Sequence, residues 1–569
     1  MGVYSALNVG NTGLLASQRA LEVVGNNIAN AATPGYSRQE IVLVPGPGVG
    51  ETIKMGTGVR VSLVLRRFDA AVESRLRHAT ADSESWTVQR QTLDRIEGLY
   101  NETTDQDLST ALTAFFNSFS ELANNPQDLG VRTIAIEQAR RLVEQIRQLR
   151  GDLDGLRQEL DASVQSGVQE INRLAAEVAD LNVRVLQAEE GRLESAPSLR
   201  DARDAKLREL AQWIDIRTVE QNNGAVNVIV GNQILVDGKY SRELTCRTVE
   251  DRNLGVGEVR FADNDETLAL AGGRLAGYIA GRDVWIGQQI DSLDTLAHNL
   301  IFEVNRLHAE GTGTELLSAV RSELRVLDPN AVLNSADAGL AYTPVNGSFL
   351  LHVTNGISGF TETLTVDVDL DGLGADDSLN DVVNRINSLA AAQGVSVAAS
   401  VDSNGRLIIE GASSEVRVSF SEDSSQLLAA LGVNGLFGGY DSVSIALSDA
   451  VRANPRLLAA GLSGASGDNA NALRLAALAE TPLAGLAGAN LLDYHKQAVT
   501  SLAVNAAAAK SASGAADAFL GAMQDERESI SGVNLDEESV NLIRYQKAYV
   551  AAARFMSVMS ELLDKIMEI

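Results

Sequence analysis

The last stretch of the chain carries an apolar repeat that few protein folds can satisfy. Apolar side chains recur at alternating spacings of three and four residues, at Leu542, Tyr545, Tyr549, Ala552, Met556, Met559, Leu563 and Ile566. A seven-residue apolar repeat is typical of a helix that lies along another helix. Because the stretch has no proline, and no glycine after Gly532, we predict one continuous helix that needs a partner.

The other end of the chain carries a matching repeat. Apolar residues recur there every seven positions, with Ser17 and Val24 between them, at Leu7, Leu14, Leu21 and Ile28. We therefore expect the two terminal helices to pair, with the rest of the chain inserted between them. Two ordinary amphipathic surface helices, each packed on its own neighbourhood, are the alternative interpretation of the same periodicity.

Composition narrows the function classes. The formal net charge of −28 argues against nucleic acid as a partner, because phosphate binding needs basic clusters. No basic stretch followed by an apolar one opens the chain, so no cleaved secretory signal is expected. No run approaches the roughly 20 apolar residues that span a bilayer, so membrane insertion is not expected. Cys246 is the single cysteine, which excludes an intramolecular disulfide.

The middle of the chain alternates between helical and strand-like patterns. Residues 69–213 read as almost wholly helical, and residues 214–270 switch to a period of two that predicts a small β-element. A further helix is predicted from about 275 to 308, and residues 341–440 combine five strand-like alternations with one helix. Long Ala/Leu-rich helices return after residue 448. The predicted fold class is mainly α with inserted β and α+β modules, with the terminal helices forming a coiled coil.

One charged block within the helical part allows a simple interpretation. Residues 199–210, Leu-Arg-Asp-Ala-Arg-Asp-Ala-Lys-Leu-Arg-Glu-Leu, alternate Arg and Asp. We interpret this alternation as a solvated helix face of short-range ion pairs, each contributing a few tenths of a kcal/mol.

Catalytic and cofactor motifs are not found. The five histidines lie far apart, and none belongs to a His-Glu-x-x-His metal motif. The one candidate metal set is Asp367, Asp369 and Asp371, which match the first half of a calcium loop but have Ser378 where a glutamate should stand. The alternative is an Asp-Gly turn after an acidic strand, with Ser378 capping the next helix. We expect no catalytic site and no cofactor.

Two stretches resemble known sequences. The segment from Leu21 to Gln39 contains Gly-Asn-Asn-Ile-Ala-Asn-Ala-Ala-Thr-Pro-Gly-Tyr-Ser-Arg-Gln and resembles the N-terminal signature of bacterial flagellar rod and hook axial proteins. Its ending, Tyr36-Ser37-Arg38-Gln39, is most similar to the hook-associated protein 1 family. Near the other end, residues 532–540 and 545–549 resemble the C-terminal signature of the same family.

The resemblance implies an extracellular structural subunit that joins the flagellar hook to the filament and is not an enzyme. It implies nested domains: residues 1–60 with 531–569 as a coiled-coil core, 61–311 with 445–530 as a helical arm, and 340–440 as an outer module. Partners would be further copies of the chain in a ring, the hook protein, the next hook-associated protein on the filament side and a cytoplasmic export chaperone on the C-terminal helix. Export would use the flagellar type III apparatus without a cleaved signal.

The repeats and the signature together define a predicted assembly interface. Its members are Leu7, Leu14, Leu21, Val24, Asn27, Ile28, Asn30, Pro34, Gly35, Tyr36, Leu542, Tyr545, Tyr549, Met556, Met559, Leu563 and Ile566. A single apolar seam has nothing to bury against in isolation, so we expect these helices to be largely disordered in the monomer and to fold on assembly. Another axial protein, such as a hook protein or flagellin, remains an alternative, as does a cytoplasmic coiled-coil scaffold.

Overall fold

The computed structural model describes residues 3–48, 56–100, 107–190, 194–465 and 467–567. These residues form mainly α-helices, in agreement with the predicted fold class. The helices are α1 Val3–Ala29, α2 Ala70–Tyr100, α3 Leu108–Asn124, α4 Leu129–Ala188, α5 Pro197–Trp213, α6 Gly273–Ile279, α7 Ile286–Ala309, α8 Leu379–Gln393, α9 Leu427–Leu431, α10 Asp449–Ala453, α11 Ala470–Ala477, α12 Leu491–Ser531 and α13 Leu535–Met567.

The strands form small antiparallel sheets between the helices. They are β1 Gln39–Pro45, β2 Val59–Arg66, β3 Arg217–Glu220, β4 Val226–Val230, β5 Gln233–Asp237, β6 Tyr240–Ser241, β7 Leu244–Asp251, β8 Leu254–Phe261, β9 Ala319–Arg321, β10 Gly347–Asn355, β11 Thr361–Val368, β12 Val397–Val401, β13 Leu407–Gly411, β14 Val416–Ser421, β15 Phe437–Gly438 and β16 Ala446–Leu447. The sheet orders are β1-β2, β3-β4-β5-β6, β7-β8, β11-β10-β14, β12-β13-β9 and β15-β16. The predicted inserted β modules are thus confirmed.

The chain divides into two compact units. The first unit contains residues 1–92, 158–282 and 506–569, and the second contains residues 93–157 and 283–505. The three-domain division expected from the sequence stays a prediction. Over the described ranges no single helix has the length and apolarity of a membrane span; Ala470–Leu486 and Leu491–Met567 meet that test only as a pair, bent by 58°.

In the first unit, the second half of α4 packs with α5 against the sheets β3–β6 and β7–β8. Strand β4 alternates buried and half-buried residues, as its period of two predicts, and Val226, Val228 and Val230 point into the core. Asn182 of α4 fastens this sheet to the helix. Its Nδ2 donates to the carbonyls of Val226 (2.8 Å) and Gly238 (2.6 Å), and its Oδ1 accepts from the Val226 amide (3.0 Å). The buried amide is therefore fully paired.

The Arg/Asp block of α5 is not a solvated face, so the simple interpretation is wrong. Its buried members are Arg200, Arg203 and Asp204. Arg200 Nε lies 2.8 Å from the buried Glu189 carboxylate, and Arg66 of β2 donates to Asp201 (2.7 Å) and Asp204 (2.8 Å). The reason is that α5 carries its charges toward β2 and the end of α4. Its ion pairs therefore work as buried links between elements.

The helix predicted from about 275 to 308 is interrupted. A π-helical turn, Ala280–Trp285, separates α6 from α7. Gly277 lies so close to α2 that an added Cβ would be 2.8 Å from the Ser85 carbonyl oxygen. Arg282, buried in the turn, bonds the Asp161 carboxylate (2.5 Å) and the Gly257 carbonyl (2.9 Å). These buried polar contacts, which have no periodic signal in the sequence, occupy the site where the regular helix stops.

The second unit contains a module of strands β9–β14 and helix α8, called the α+β module below. The predicted alternation appears in β10, where Phe349, Leu351 and Val353 are buried. Ser378 caps α8 in a reciprocal capping box with Asp381, and Gly394 ends the helix with a φ of +73°. Local pattern and local caps thus agree with the packing in this region.

His308, at the end of α7, is completely buried in the second unit. Its Nδ1 lies 2.7 Å from the Asn434 carbonyl oxygen, and the Ala459 amide donates to Nε2 at 3.0 Å. A carbonyl accepts and an amide N–H donates, so the ring is neutral with its proton on Nδ1. Burial lowers the pKa of His308 to about 4.

Candidate assembly site at the junction of the terminal helices

The two terminal helices pack against each other and form what we call the terminal helix pair. The pair is antiparallel, because Gly10 of α1 lies against Met556 while Asn27 bonds Glu538, eighteen residues earlier in α13. The packing face of α1 consists mostly of small residues. Its buried members are Gly10, Ala16, Ser17, Ala20, Val24 and Asn27.

The apolar residues predicted for the α1 seam lie beside this face. Leu7, Leu14, Leu21 and Ile28 are all half-buried, whereas Val24 and Asn27 are buried. The sequence interpretation missed the glycines because a heptad pattern is judged on large apolar side chains. Gly10 shows why a small residue is needed, since an added Cβ would lie 2.7 Å from Met556 Sδ. Glycine at position 10 therefore leaves the room that the Met556 side chain occupies.

The predicted residues of α13 divide into two groups. Those that are half-buried are Tyr545, Tyr549, Met556, Met559 and Leu563, whereas Leu542 and Ile566 are exposed. Further large apolar side chains are exposed elsewhere on the helix, at Leu535, Val540, Ile543, Val550, Phe555, Val558, Leu562 and Met567. An uncovered apolar surface of this extent on one helix indicates a protein interaction site.

Asn27, at the end of α1, uses its whole side-chain amide. Its Nδ2 donates to the Gln39 carbonyl (2.9 Å) and to Glu538 Oε2 (3.1 Å). Its Oδ1 accepts from the Gln39 amide (3.0 Å) and from the Tyr36 hydroxyl (2.9 Å). No other side chain of this size offers two donors and two acceptors in that arrangement. Asn27 thus ties α1, β1 and α13 together.

Glu538 is the one buried residue among the described residues of α13. Its Oε1 lies 2.9 Å from Arg38 Nε and 2.7 Å from Arg38 Nη2, and the same guanidinium reaches the exposed Glu537 at 2.5 Å. Backbone bonds fix Arg38 as well, because its amide donates to the Ser531 carbonyl (2.9 Å) and its carbonyl accepts from the Arg67 amide (2.8 Å). Burial, together with Asp201 and Glu538, raises the pKa of Tyr36 to about 12.

The loop that follows α1 is held by a second set of charges. The buried Glu73 of α2 accepts hydrogen bonds from Arg208 (3.0 Å) and Arg527 (3.1 Å). Arg208 also approaches the Gly35 carbonyl (3.4 Å), and Arg527 approaches the Tyr36 carbonyl (3.5 Å). Gly35 has a φ of +80°, which favours glycine. Of the remaining signature residues, Asn30 is half-buried and bonded to Asn26, and Pro34 is exposed.

The sequence-predicted calcium residues are only partly brought together. Ligand atoms of Asp369, Asp371 and Asp376 lie within 4.8 Å of one another, whereas Asp367 lies on β11 opposite Ser348. The third member of the group is Asp376, which the sequence pattern did not include. Ser378 caps α8, as the alternative interpretation predicted.

Comparisons with known proteins agree with this geometry. Residues 93–316 match the family described as flagellar hook-associated protein FlgK helical domain. Residues 7–36 match flagella basal body rod proteins, and residues 525–569 match the C-terminal region of flagellar basal body rod FlgEFG proteins. The two terminal matches cover α1 with its loop and α13, the elements that meet in the terminal helix pair.

Relatives match over nearly the whole chain. Flagellar hook-associated protein 1 of Salmonella typhimurium is 25% identical over 580 residues, covering 99% of this chain and 100% of the relative. The protein of that name from Bacillus subtilis is 26% identical over 581 residues, covering 99% and 97%. The solved structure of the flagellar hook junction protein FlgK from Burkholderia pseudomallei, 15% identical, superposes with a TM-score of 0.50 over 80% of this chain and all of that one, which supports the fold. The chain is therefore similar over nearly its whole length to flagellar hook-associated protein 1, and it is a component of the bacterial flagellar axis.

Proposed function

We propose that this protein joins the hook of the flagellum to its filament, as a ring of identical subunits between the hook protein and the next hook-associated protein. One observation carries the proposal. The two stretches that resemble axial-protein signatures, about 500 residues apart in the chain, meet at a single junction around Asn27, Arg38 and Glu538. A junction built from both chain ends suits a subunit whose ends form the inner part of a tube.

Assembly would proceed by coupled folding of the terminal helix pair. Of α13, only Glu538 is buried in one chain, and large apolar residues remain exposed along the helix. Ordering each residue costs about 1–2 kcal/mol of backbone entropy, whereas burying a large apolar side chain gains roughly 1.5–3 kcal/mol. The pair alone covers too little apolar surface to offset that entropy. Neighbouring subunits that cover the exposed face of α13 and the flanking leucines of α1 would supply the difference.

The same reasoning supports the remaining expectations. Residues 1–60 with 531–569 would form the inner coiled-coil domain, residues 61–311 with 445–530 the next shell, and residues 340–440 the outer module. Before export through the flagellar type III apparatus, a cytoplasmic chaperone would cover the apolar face of α13. The Met and Tyr side chains of that face suit an adaptable groove contact.

A genetic test addresses the junction role. In a bacterium that lacks its own hook-associated protein 1, we expect expression of this chain to restore filaments attached to hooks, seen by electron microscopy. Deletion of residues 535–569 should leave hooks bare while the truncated subunit stays soluble. Attached filaments in the absence of the chain, or with the truncated form, would contradict the proposal.

Hydrogen exchange tests the coupled folding separately. In the purified monomer at micromolar concentration, we expect rapid exchange in α1 and α13 and slow exchange in α4 and the α+β module. After assembly, both terminal helices should become protected. Strong protection of both ends in the monomer would exclude coupled folding without excluding the junction role.

A further inference from the structure

The seam of the terminal helix pair does not define its own register. On α1 the packing face follows spacings of three and four residues, at Gly10, Gly13, Ser17, Ala20, Val24 and Asn27. On α13 the half-buried residues follow the same spacings, at Tyr545, Tyr549, Ala552, Met556, Met559 and Leu563. Two faces that each repeat every seven residues also fit after a slip of seven residues. Small residues on one side and flexible methionines on the other give little steric resistance to that slip.

Glu538 distinguishes one register from the others, because its hydrogen-bond partners do not recur every seven residues. Glu538 is 1% exposed, and its carboxylate bonds Asn27 and Arg38, both from the N-terminal segment. Arg38 lies outside α1, at the start of the β1–β2 hairpin, and is fixed by the backbone of Ser531 and Arg67. The side chains that bind the carboxylate thus lie on elements that stay in place when α13 slides along α1.

We propose that Glu538, through its bonds to Asn27 and Arg38, sets the register of α13 on α1. A slip of one heptad moves residue 538 by about 10 Å along the helix axis. The carboxylate then moves away from Arg38 and Asn27, which lose their charged partner. A buried polar group whose hydrogen bonds are satisfied in a single register disfavours every other register. The proposal concerns one chain and goes beyond the proposed function, since it holds whether or not the pair lies at a hook–filament junction.

Disulfide trapping reads the register directly. A Cβ at Gly13 would lie 3.8 Å from Ala552 Cβ, which is the usual Cβ separation of a disulfide. The parent is the full-length chain with Cys246→Ser. In this chain, the pair Gly13→Cys and Ala552→Cys reports the observed register. Gly13→Cys with Tyr545→Cys or Met559→Cys reports a slip of one heptad in either direction. Oxidation at submicromolar concentration keeps the product within one chain, and peptide mass spectrometry measures each yield.

The register ratio is the slipped yield divided by the yield of the observed register. Glu538→Leu keeps an apolar seam but removes the carboxylate. We expect it to raise the ratio about tenfold or more, the factor that corresponds to the loss of hydrogen bonds to a charged group. Glu537→Gln is the matched control, because the exposed Glu537 contacts the same Arg38 and should leave the ratio unchanged. Because the readout is a ratio, it is valid even when the pair forms only transiently in the monomer.

Three results would overturn the proposal. The first is an unchanged ratio in Glu538→Leu. The second is loss of all three disulfides in that variant, which would make Glu538 a simple anchor. The third is failure of all three pairs to form in the parent chain, which would mean that α13 does not dock on its own α1. As a second variant, Asn27→Leu should raise the ratio in the same direction as Glu538→Leu.

Discussion

The α+β module and the terminal helix pair use similar apolar periodicity with opposite results. In the module, alternating residues of β10, β11 and β14 and one face of α8 are buried in a common core. In the pair, the apolar repeat of α13 is at most half-buried, and its one buried residue is the charged Glu538. A periodic apolar face predicts that something covers it, but the pattern does not identify whether the cover is the same chain or another one. Burial in the single chain makes that distinction.

The largest expected effect comes from a core truncation that sharpens this contrast. Phe349→Ala removes a completely buried ring that packs edge-on against Phe420, with centroids 6.3 Å apart. We expect the free energy of unfolding of the α+β module to fall by about 3–5 kcal/mol. Hydrogen exchange of the β10 and β14 amides under native conditions measures the loss.

The matched change in the pair is Met556→Ala. Because Met556 is half-buried, the unfolding free energy of the monomer should change by less than about 1 kcal/mol. Assembly of this variant into rings, measured by sedimentation, should be strongly weakened. A loss of monomer stability as large as that of Phe349→Ala would show that the pair is a complete core by itself.

Acid should destabilise the second unit through His308. The pKa of His308 is lowered to about 4 in the folded chain, against an ordinary value of 6.5. Between these values the unfolded chain binds more protons, so stability is complete above pH 6.5 and falls as the pH decreases toward 4. The loss reaches about 3 kcal/mol at pH 4. Urea unfolding between pH 4.5 and 7, followed by amide exchange in α7, measures the slope. His308→Gln should flatten that slope, and an equally steep slope in this variant would contradict the assignment.

The sequence predicts the α+β module well because its signals are local. The strand alternation at Phe349, Leu351 and Val353 and the cap at Ser378 depend only on neighbouring residues, and the structure confirms them. The partners of Glu538, by contrast, lie about 500 residues away in the chain. A glutamate at the start of a helix is also the residue expected there for the helix dipole, so its burial has no local signal. The small-residue face of α1 was missed for a related reason, since Gly10 and Gly13 carry no apolar side chain to detect.

Asn27→Asp should break the pair while leaving the module intact. The substitution replaces the amide that donates to Glu538 Oε2 with a carboxylate, and it also removes the donor to the Gln39 carbonyl. Lost hydrogen bonds in a buried site and the like-charge contact should weaken the docking of α13 by about 2–3 kcal/mol. The yield of the disulfide between Gly13→Cys and Ala552→Cys measures that docking. Asn11→Asp, an exposed position on the same helix, should leave the yield unchanged.

Two glycines near the same junction should have smaller effects than Asn27→Asp, and of opposite sign. Gly35→Ala should destabilise the loop by about 1–2 kcal/mol, because Gly35 has a φ of +80° and an added Cβ would lie 2.6 Å from Nη2 of Arg208, whose Nη1 donates to Glu73. Gly25→Ala should instead favour α1 by up to about 1 kcal/mol, since no atom lies within 4 Å of the new Cβ and the residue is helical. Amide exchange of α1 in assembled rings measures both changes. Equal effects of the same sign would mean that the glycines act through chain flexibility alone, and that the close contact of the loop with Arg208 does not help to hold the terminal pair.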